Sequence, residues 1–286
     1  MDLIMSLTVN GLATGMLIFL VAIGLTFTFG LMGVLNFAHG AVFSWGAYTG
    51  YWFFTTSGSF TVGLIGAILT GTLLGCLVGK YILEPVHGKP LQEILITMGL
   101  MIVLSELLKA VFSLNTYRYI PPVLLAGSFE LGGILLIKYR IFVIAFGILI
   151  LTAMHYLLKK TRIGLIVRAG VINKEMVQVF GINIKRVFLY VFMLGSGLAA
   201  LSGALLGPYF GILTPDVGMQ FQILGFMVVG MGGMGNVRRT ALASIILGLV
   251  NVYVSYLVPS FEIFINLFII VIIFLVRLRG LHTVRG

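Results

Sequence analysis

Residues 3–79 read LIMSLTVNGLATGMLIFLVAIGLTFTFGLMGVLNFAHGAVFSWGAYTGYWFFTTSGSFTVGLIGAILTGTLLGCLVG, without one Asp, Glu, Lys or Arg. A soluble domain carries about 25% charged residues. Here the whole chain of 286 residues has 9%, with 60% hydrophobic residues and a mean hydropathy of +1.16. A charge-free run of 77 residues belongs in a bilayer. The apolar runs are long and continuous, whereas a membrane barrel shows short alternating segments, so the spanning form is helical. The expected fold is all-α: a polytopic bundle of eight or nine transmembrane segments, forming one transmembrane domain over 1–286.

Working outward from that stretch, apolar segments are expected at 6–29, 37–54, 62–83, 91–112, 141–158, 187–207, 217–234, 240–258 and 261–276. The start, MDLIMSL, lacks a basic n-region, and the apolar run behind it is too long for a cleavable leader. Basic residues in short loops set the orientation. One set of loops holds Lys80, Lys89, seven basic residues within 159–186, Arg238 and Arg239, and then Arg277, Arg279 and Arg285 in the tail. The opposite set holds Arg118, Lys138 and Arg140. The first set is expected in the cytoplasm together with the C-terminus, in a multi-pass protein of the cytoplasmic membrane. Residues 30–40 carry no charge, so the side of Met1 stays open. The net charge of +10 reflects this loop distribution and does not point to nucleic acid. Cys76 is the single cysteine, which excludes an internal disulfide and a cysteine metal cluster. Gly71, Gly75 and Gly79, and Gly203, Gly207 and Gly211 with Gly195 and Ala199 upstream, recur four apart, a spacing that lets helices approach closely.

Three stretches carry functional signals. In GLMGVLNFAHGAVFSWGAYTG, 30–50, Asn36 and His39 lie in a glycine-broken segment at membrane depth. Such a break is tolerated where freed backbone groups are buried in protein or line a wet cavity. Two readings stand: Asn36 and His39 line a translocation pathway, or they hydrogen-bond neighbouring helices. In 159–186, Ile172, Met176, Val179 and Phe180 share one face of a short helix, with Asn173 as its cap and Gly181 as its stop. That amphipathic helix suits either lipid headgroups or a partner's groove. The loop 114–140 is the longest external segment, a connector or a landing place for an external protein. Glu106 and Lys109, three apart on a buried helix, are expected to pair.

TRIGLIVRAG, followed by GINIKRV from Gly181, resembles the cytoplasmic loop of the permease subunits of ABC importers for branched-chain amino acids, the LivH type. GLMGVLNFAHGAVFSWGAY is similar to the early signature of that family, and GFMVVGMGGMGNVRRTALASIILGLV, 225–250, to its glycine-rich segment near the C-terminus. The three occur in family order along nearly the whole chain. The resemblance implies that the central loop is a coupling helix seated in a cytoplasmic ATPase subunit. The matching positions are Thr161, Gly164, Arg168, Ala169, Gly181 and Ile182, and Met176 and Phe180 on the apolar face are assigned to the same contact. It further implies a second permease subunit (LivM-like or a copy of this chain), two ATPase subunits, an external substrate-binding protein and a lipid surround. Asn236–Arg239 departs from the small-residue and proline turn more usual there.

No G-x-x-x-x-G-K-[ST] phosphate loop occurs, so ATP is expected on partner subunits, with no cofactor, metal or catalytic residue in this chain. The function implied is translocation of leucine, isoleucine and valine by alternating access. The same class of permease also serves urea, amides or other small solutes. An ion-gradient-driven carrier is the alternative from another class, and it would need intramembrane charges of which only Glu106 and Lys109 are candidates.

Overall fold

The computed structural model describes residues 2–33, 35–131, 134–233, 235–259, 268, 269, 271 and 272. Apolar side chains cover α1 (Asp2–Met32) on every side, and a helix without a polar face must be surrounded by protein or lipid. In α1 it is protein: 89% of its most apolar stretch is buried, against 17% in α4 (Pro90–Phe112) and α5 (Lys138–Lys160). The first helix is thus the axis of the bundle, and α4 and α5 are peripheral.

Against that axis pack one face of α5, α8 (Ile184–Phe210), α9 (Val217–Gly232) and α10 (Val237–Leu257), while α2 (His39–Ser57) and α3 (Phe60–Leu77) pack mainly on α8. The third helix continues through a π-helical turn, Val78–Leu83, before the chain reverses. Between α5 and α8 lie two short helices, α6 (Arg162–Ile172) and α7 (Lys174–Val179).

Glycine lets these helices meet. A side chain on Gly46 would begin 2.2 Å from Ala200 Cα, and one on Gly203 would begin 2.1 Å from the Phe43 carbonyl. These two contacts bring α2 onto α8. Gly71 and Gly75 of α3 likewise press on Ser196 and Ala200, and Gly15 of α1 presses on Ile245 and Ser244 of α10. The four-residue glycine spacing therefore brings helices together as expected, except that Gly207 admits the Tyr119 ring of a loop, and Gly211 takes φ 75° and ends α8 instead of packing it.

Two ends of the bundle are distinct. At the basic end, Lys185 pairs with Glu84 at 3.3 Å, Arg238 approaches His155 at 3.4 Å, and Gly30 at the close of α1 faces Gly235 and Val171. At the opposite end, Tyr253 donates to the Ile4 carbonyl and Tyr209 to the Asn10 carbonyl, so α1 starts there. There the loop after α4 forms β1 (Tyr117–Arg118), β2 (Ser128–Leu131) and β3 (Ile134–Ile137). β2 pairs antiparallel with β3, and β1 with β4 (Ile212–Leu213), which follows α8. Neither expectation for this loop, connector or landing place, included these ladders, because strands of two to four residues make no readable alternation. Tyr119, 1% exposed, seats its ring where a side chain on Gly207 would stand. Its burial raises the pKa of the phenol.

Six of the described helices are long and apolar enough to cross a membrane, and α2 and α9 are two further, less apolar or shorter ones. The eight expected segments from 6 to 258 each fall on one of these. Of the ninth, 261–276, only residues 268, 269, 271 and 272 are described, and the basic tail lies outside the described residues.

Candidate functional site

The chain turns sharply where α5 ends. Thr161 is extended, at φ −111° and ψ 155°; its hydroxyl donates to the Leu157 carbonyl at 2.5 Å and accepts from the Gly164 amide at 3.1 Å. That one side chain closes α5 and caps α6. Gly164 lies against the backbone it has just left, since a side chain there would begin 2.3 Å from the Leu157 carbonyl. Arg168 Nε donates back to the Gly164 carbonyl at 3.4 Å, and the Ala169 carbonyl accepts from the Asn173 amide at 2.9 Å. Asn173 then caps α7 by accepting from the Met176 amide at 3.0 Å. Gly181, at φ 75°, ends it, and the Ile182 amide closes the turn on the Val177 carbonyl.

The expected short helix is therefore present with its cap and stop. The correction is that a second helix, α6, precedes it. Its buried positions are Gly164, Val167 and Gly170, so glycines mark the inward face while the large apolar Ile163 and Leu165 stand exposed, the reverse of the pattern by which a packed helix is read. The expected apolar face spreads over the end of α6 and all of α7. Ile172 is 86% exposed, Val179 84%, Phe180 76% and Met176 57%, while Val177 is buried and holds α7 to the bundle. Leaving four large apolar side chains in water is unfavourable, so the face is suited to being covered. Thr161, Gly164, Ala169 and Gly181 shape it; Met176 and Phe180 present it.

The second candidate region lies inside the bundle. The α1–α2 connection includes residues 33 and 35–38, and α2 begins with His39. Asn36 is 2% exposed, and its side-chain oxygen accepts from the Ala38 amide at 3.0 Å. His39 is fully buried between Gly24 and the Val21 carbonyl, which lies 3.2 Å from Nε2; its Nδ1 has no partner among the described residues. The structure thus brings Asn36 and His39 to the start of α2, away from solvent in this conformation.

Sequence reasoning did not identify their neighbours. The Gly40 amide donates to Gln222 Oε1 at 2.8 Å, and the Gly218 amide donates to Ser44 Oγ at 3.0 Å, which itself donates to the Pro215 carbonyl. A helix leaves its first amides without internal partners, and in an apolar interior each must find one. Here α2 and α9 begin side by side and cap each other. Gln220 and Gln222 both interrupt the apolar run of α9, so the sequence signals a polar pair without showing which of the two turns inward.

At the end opposite the basic loops, Lys109 pairs with Glu106 at 3.0 Å as expected, and also with Asp216 at 3.4 Å, joining α4 to the start of α9. Among the described residues, no three His, Cys, Asp or Glu gather closely enough to hold a metal ion.

Residues 7–277 match the protein family described as "Branched-chain amino acid transport system / permease component". Among curated proteins, the chain is 26% identical to the high-affinity branched-chain amino acid transport system permease protein LivH of Escherichia coli. That alignment covers 95% of this chain and 93% of the relative. It is 26% identical to the corresponding protein BraD of Pseudomonas aeruginosa, over 86% of this chain and 84% of BraD. A probable LivH of Methanocaldococcus jannaschii is 27% identical over 85% and 79%. No solved structure matches the chain significantly.

Proposed function

The chain belongs to the family of permease components of branched-chain amino acid transport systems, a family of transporters rather than enzymes, and from that membership we propose a specific role. It is the membrane-spanning subunit of an ABC importer that moves leucine, isoleucine and valine inward. In this reading the basic end is cytoplasmic, the start of α1 faces outward, and the C-terminus is cytoplasmic. Two ATPase subunits, a second permease subunit and an external binding protein complete the machine, and ATP is bound by the partners.

The observation that carries the reading is the solvent-exposed apolar face of Ile172, Met176, Val179 and Phe180 on a helix pair fastened to the bundle. The ATPase cleft is its proposed cover. Motion there has a route inward. The sixth helix packs on α5, α8 and α1, and Val171 sits beside Gly30 and Gly235, the points where α1 ends and α10 is about to begin. Two arrangements of this joint, one favoured by ATP-closed partners, give alternating access. The start of α2, with Asn36 and His39, is the proposed pathway element, opening in the other arrangement.

The test is reconstitution of the chain with its natural partners in proteoliposomes. ATP-dependent uptake of leucine is expected, with loss of both uptake and ATPase association in Phe180→Asp. Uptake of urea or amides in place of leucine would assign another solute, and uptake that ignores ATP would overturn the reading.

A further inference from the structure

A groove of about 490 Å³ runs between α3, α5, α6 and α8, with Phe27 of α1 also reaching it. Its volume is within the range of about 300–1,000 Å³ common to small-ligand sites. Ile68, Ile150, Leu157, Val167, Leu194 and Leu201 give its character: no charged side chain lines it, and Thr72 and Tyr190 supply its only side-chain hydroxyls. An amino-acid zwitterion would leave two charges unpaired there, a prohibitive arrangement in an apolar medium. A hydrocarbon chain would not.

Length and charge narrow the occupant further. Along α8 the lining extends from Tyr190 to Leu201, about 16 Å at the helical rise of about 1.5 Å per residue. That is about the depth of one leaflet of a hydrocarbon core about 30 Å thick. At the basic end of the groove, Leu157, Leu158 and Ile163 are lining residues, and between them in sequence stand Lys159, Lys160 and Arg162, all exposed. From 131 to 174 the sequence holds no Asp or Glu to neutralise them. An apolar slot about one leaflet deep, with three exposed cations adjoining its lining in sequence at the basic end, matches the two halves of one molecule.

We propose that this groove is a specific site for an anionic phospholipid, one acyl chain seated along α8 and the phosphate held by Lys159, Lys160 and Arg162. Since α6 walls the groove, the lipid braces the elbow between α5 and the exposed apolar face. The inference does not depend on which solute is carried.

Native mass spectrometry of the full chain with its partners, released from nanodiscs of equal phosphatidylglycerol and phosphatidylcholine, tests it. One retained phosphatidylglycerol per chain is expected, preferred over phosphatidylcholine by about thirtyfold, the worth of about two lysine–headgroup contacts. Lys159→Gln, Lys160→Gln and Arg162→Gln together, all on the surface, should erase the preference while leaving the chain inserted. Leu194→Trp should fill the slot and expel either lipid. Absence of retained lipid in the unaltered chain, equal retention of the two lipids, or unchanged retention in Leu194→Trp overturns the proposal. So does a disulfide between two copies carrying Leu194→Cys, because the groove would then be covered by a second permease subunit.

Discussion

The amide of Gly40 donates to Gln222 Oε1 at 2.8 Å, tying the first turn of α2 to α9 inside the bundle. Ser44 and Gly218 make the mirror contact at 3.0 Å. Replacing Gln222 with Met keeps the volume but leaves the Gly40 amide buried and unpaired, at a cost of about 1–3 kcal/mol. Thermal or denaturant unfolding in detergent should show that loss. Stability equal to the unaltered chain would mean that another group satisfies the amide.

Two glycines give opposite expectations for the same substitution. Gly46→Ala places a methyl 2.2 Å from Ala200 Cα, so α2 must move away from α8, at about 1–3 kcal/mol. Gly99→Ala, on peripheral α4, meets nothing within 4 Å and should gain about 0.5–1 kcal/mol from helix propensity alone. Paired unfolding measurements on the two variants check the contrast.

Asn173 accepts from the Met176 amide and starts α7. Asn173→Ala should cost that short helix about 0.5–2 kcal/mol, and Asn173→Asp should retain most of it. Faster hydrogen exchange at residues 176–179, confined to the Ala variant, is the expected readout, with weaker ATPase coupling alongside.

Gly181 adopts φ 75°, a conformation that strains a β-branched residue. Gly181→Val should therefore uncouple uptake from ATP hydrolysis, or release the ATPase, while membrane insertion stays normal. Unimpaired uptake in that variant would show that the turn does not transmit the motion.

Asn36 is 2% exposed and His39 is fully buried. Single cysteines at these positions should resist a water-soluble thiol reagent in this conformation and react once ATP drives the partners through their cycle. Inertness in every nucleotide state would assign both residues to helix packing alone.

Much of the bundle was legible because the bilayer leaves the backbone few choices. Residues 91–112 were expected to be helical and α4 spans Pro90–Phe112; residues 217–234 were expected and α9 spans Val217–Gly232. Within the exposed loop, side chains announce themselves: Asn173 and Gly181 read as cap and stop because their chemistry is local. The sixth helix did not, since its inward face is Gly164, Val167 and Gly170, and glycine contributes no hydropathy. Nor could the sequence distinguish whether His39 meets water or the Val21 carbonyl.

By itself, then, the sequence determined the solvent of each segment. Seventy-seven residues without a charge cannot be a water-soluble surface, and seven cations clustered at 159–186 mark the polar end of a bundle. Those conclusions need only the energy of moving one residue between water and hydrocarbon. Only the tertiary structure decided how α2 begins inside the bundle, because Gly40 finds Gln222 from 182 residues away. Inside a bilayer, where most side chains are equally apolar, hydropathy does not choose partners. Small residues that permit contact and a few buried hydrogen bonds do, and those are properties of pairs.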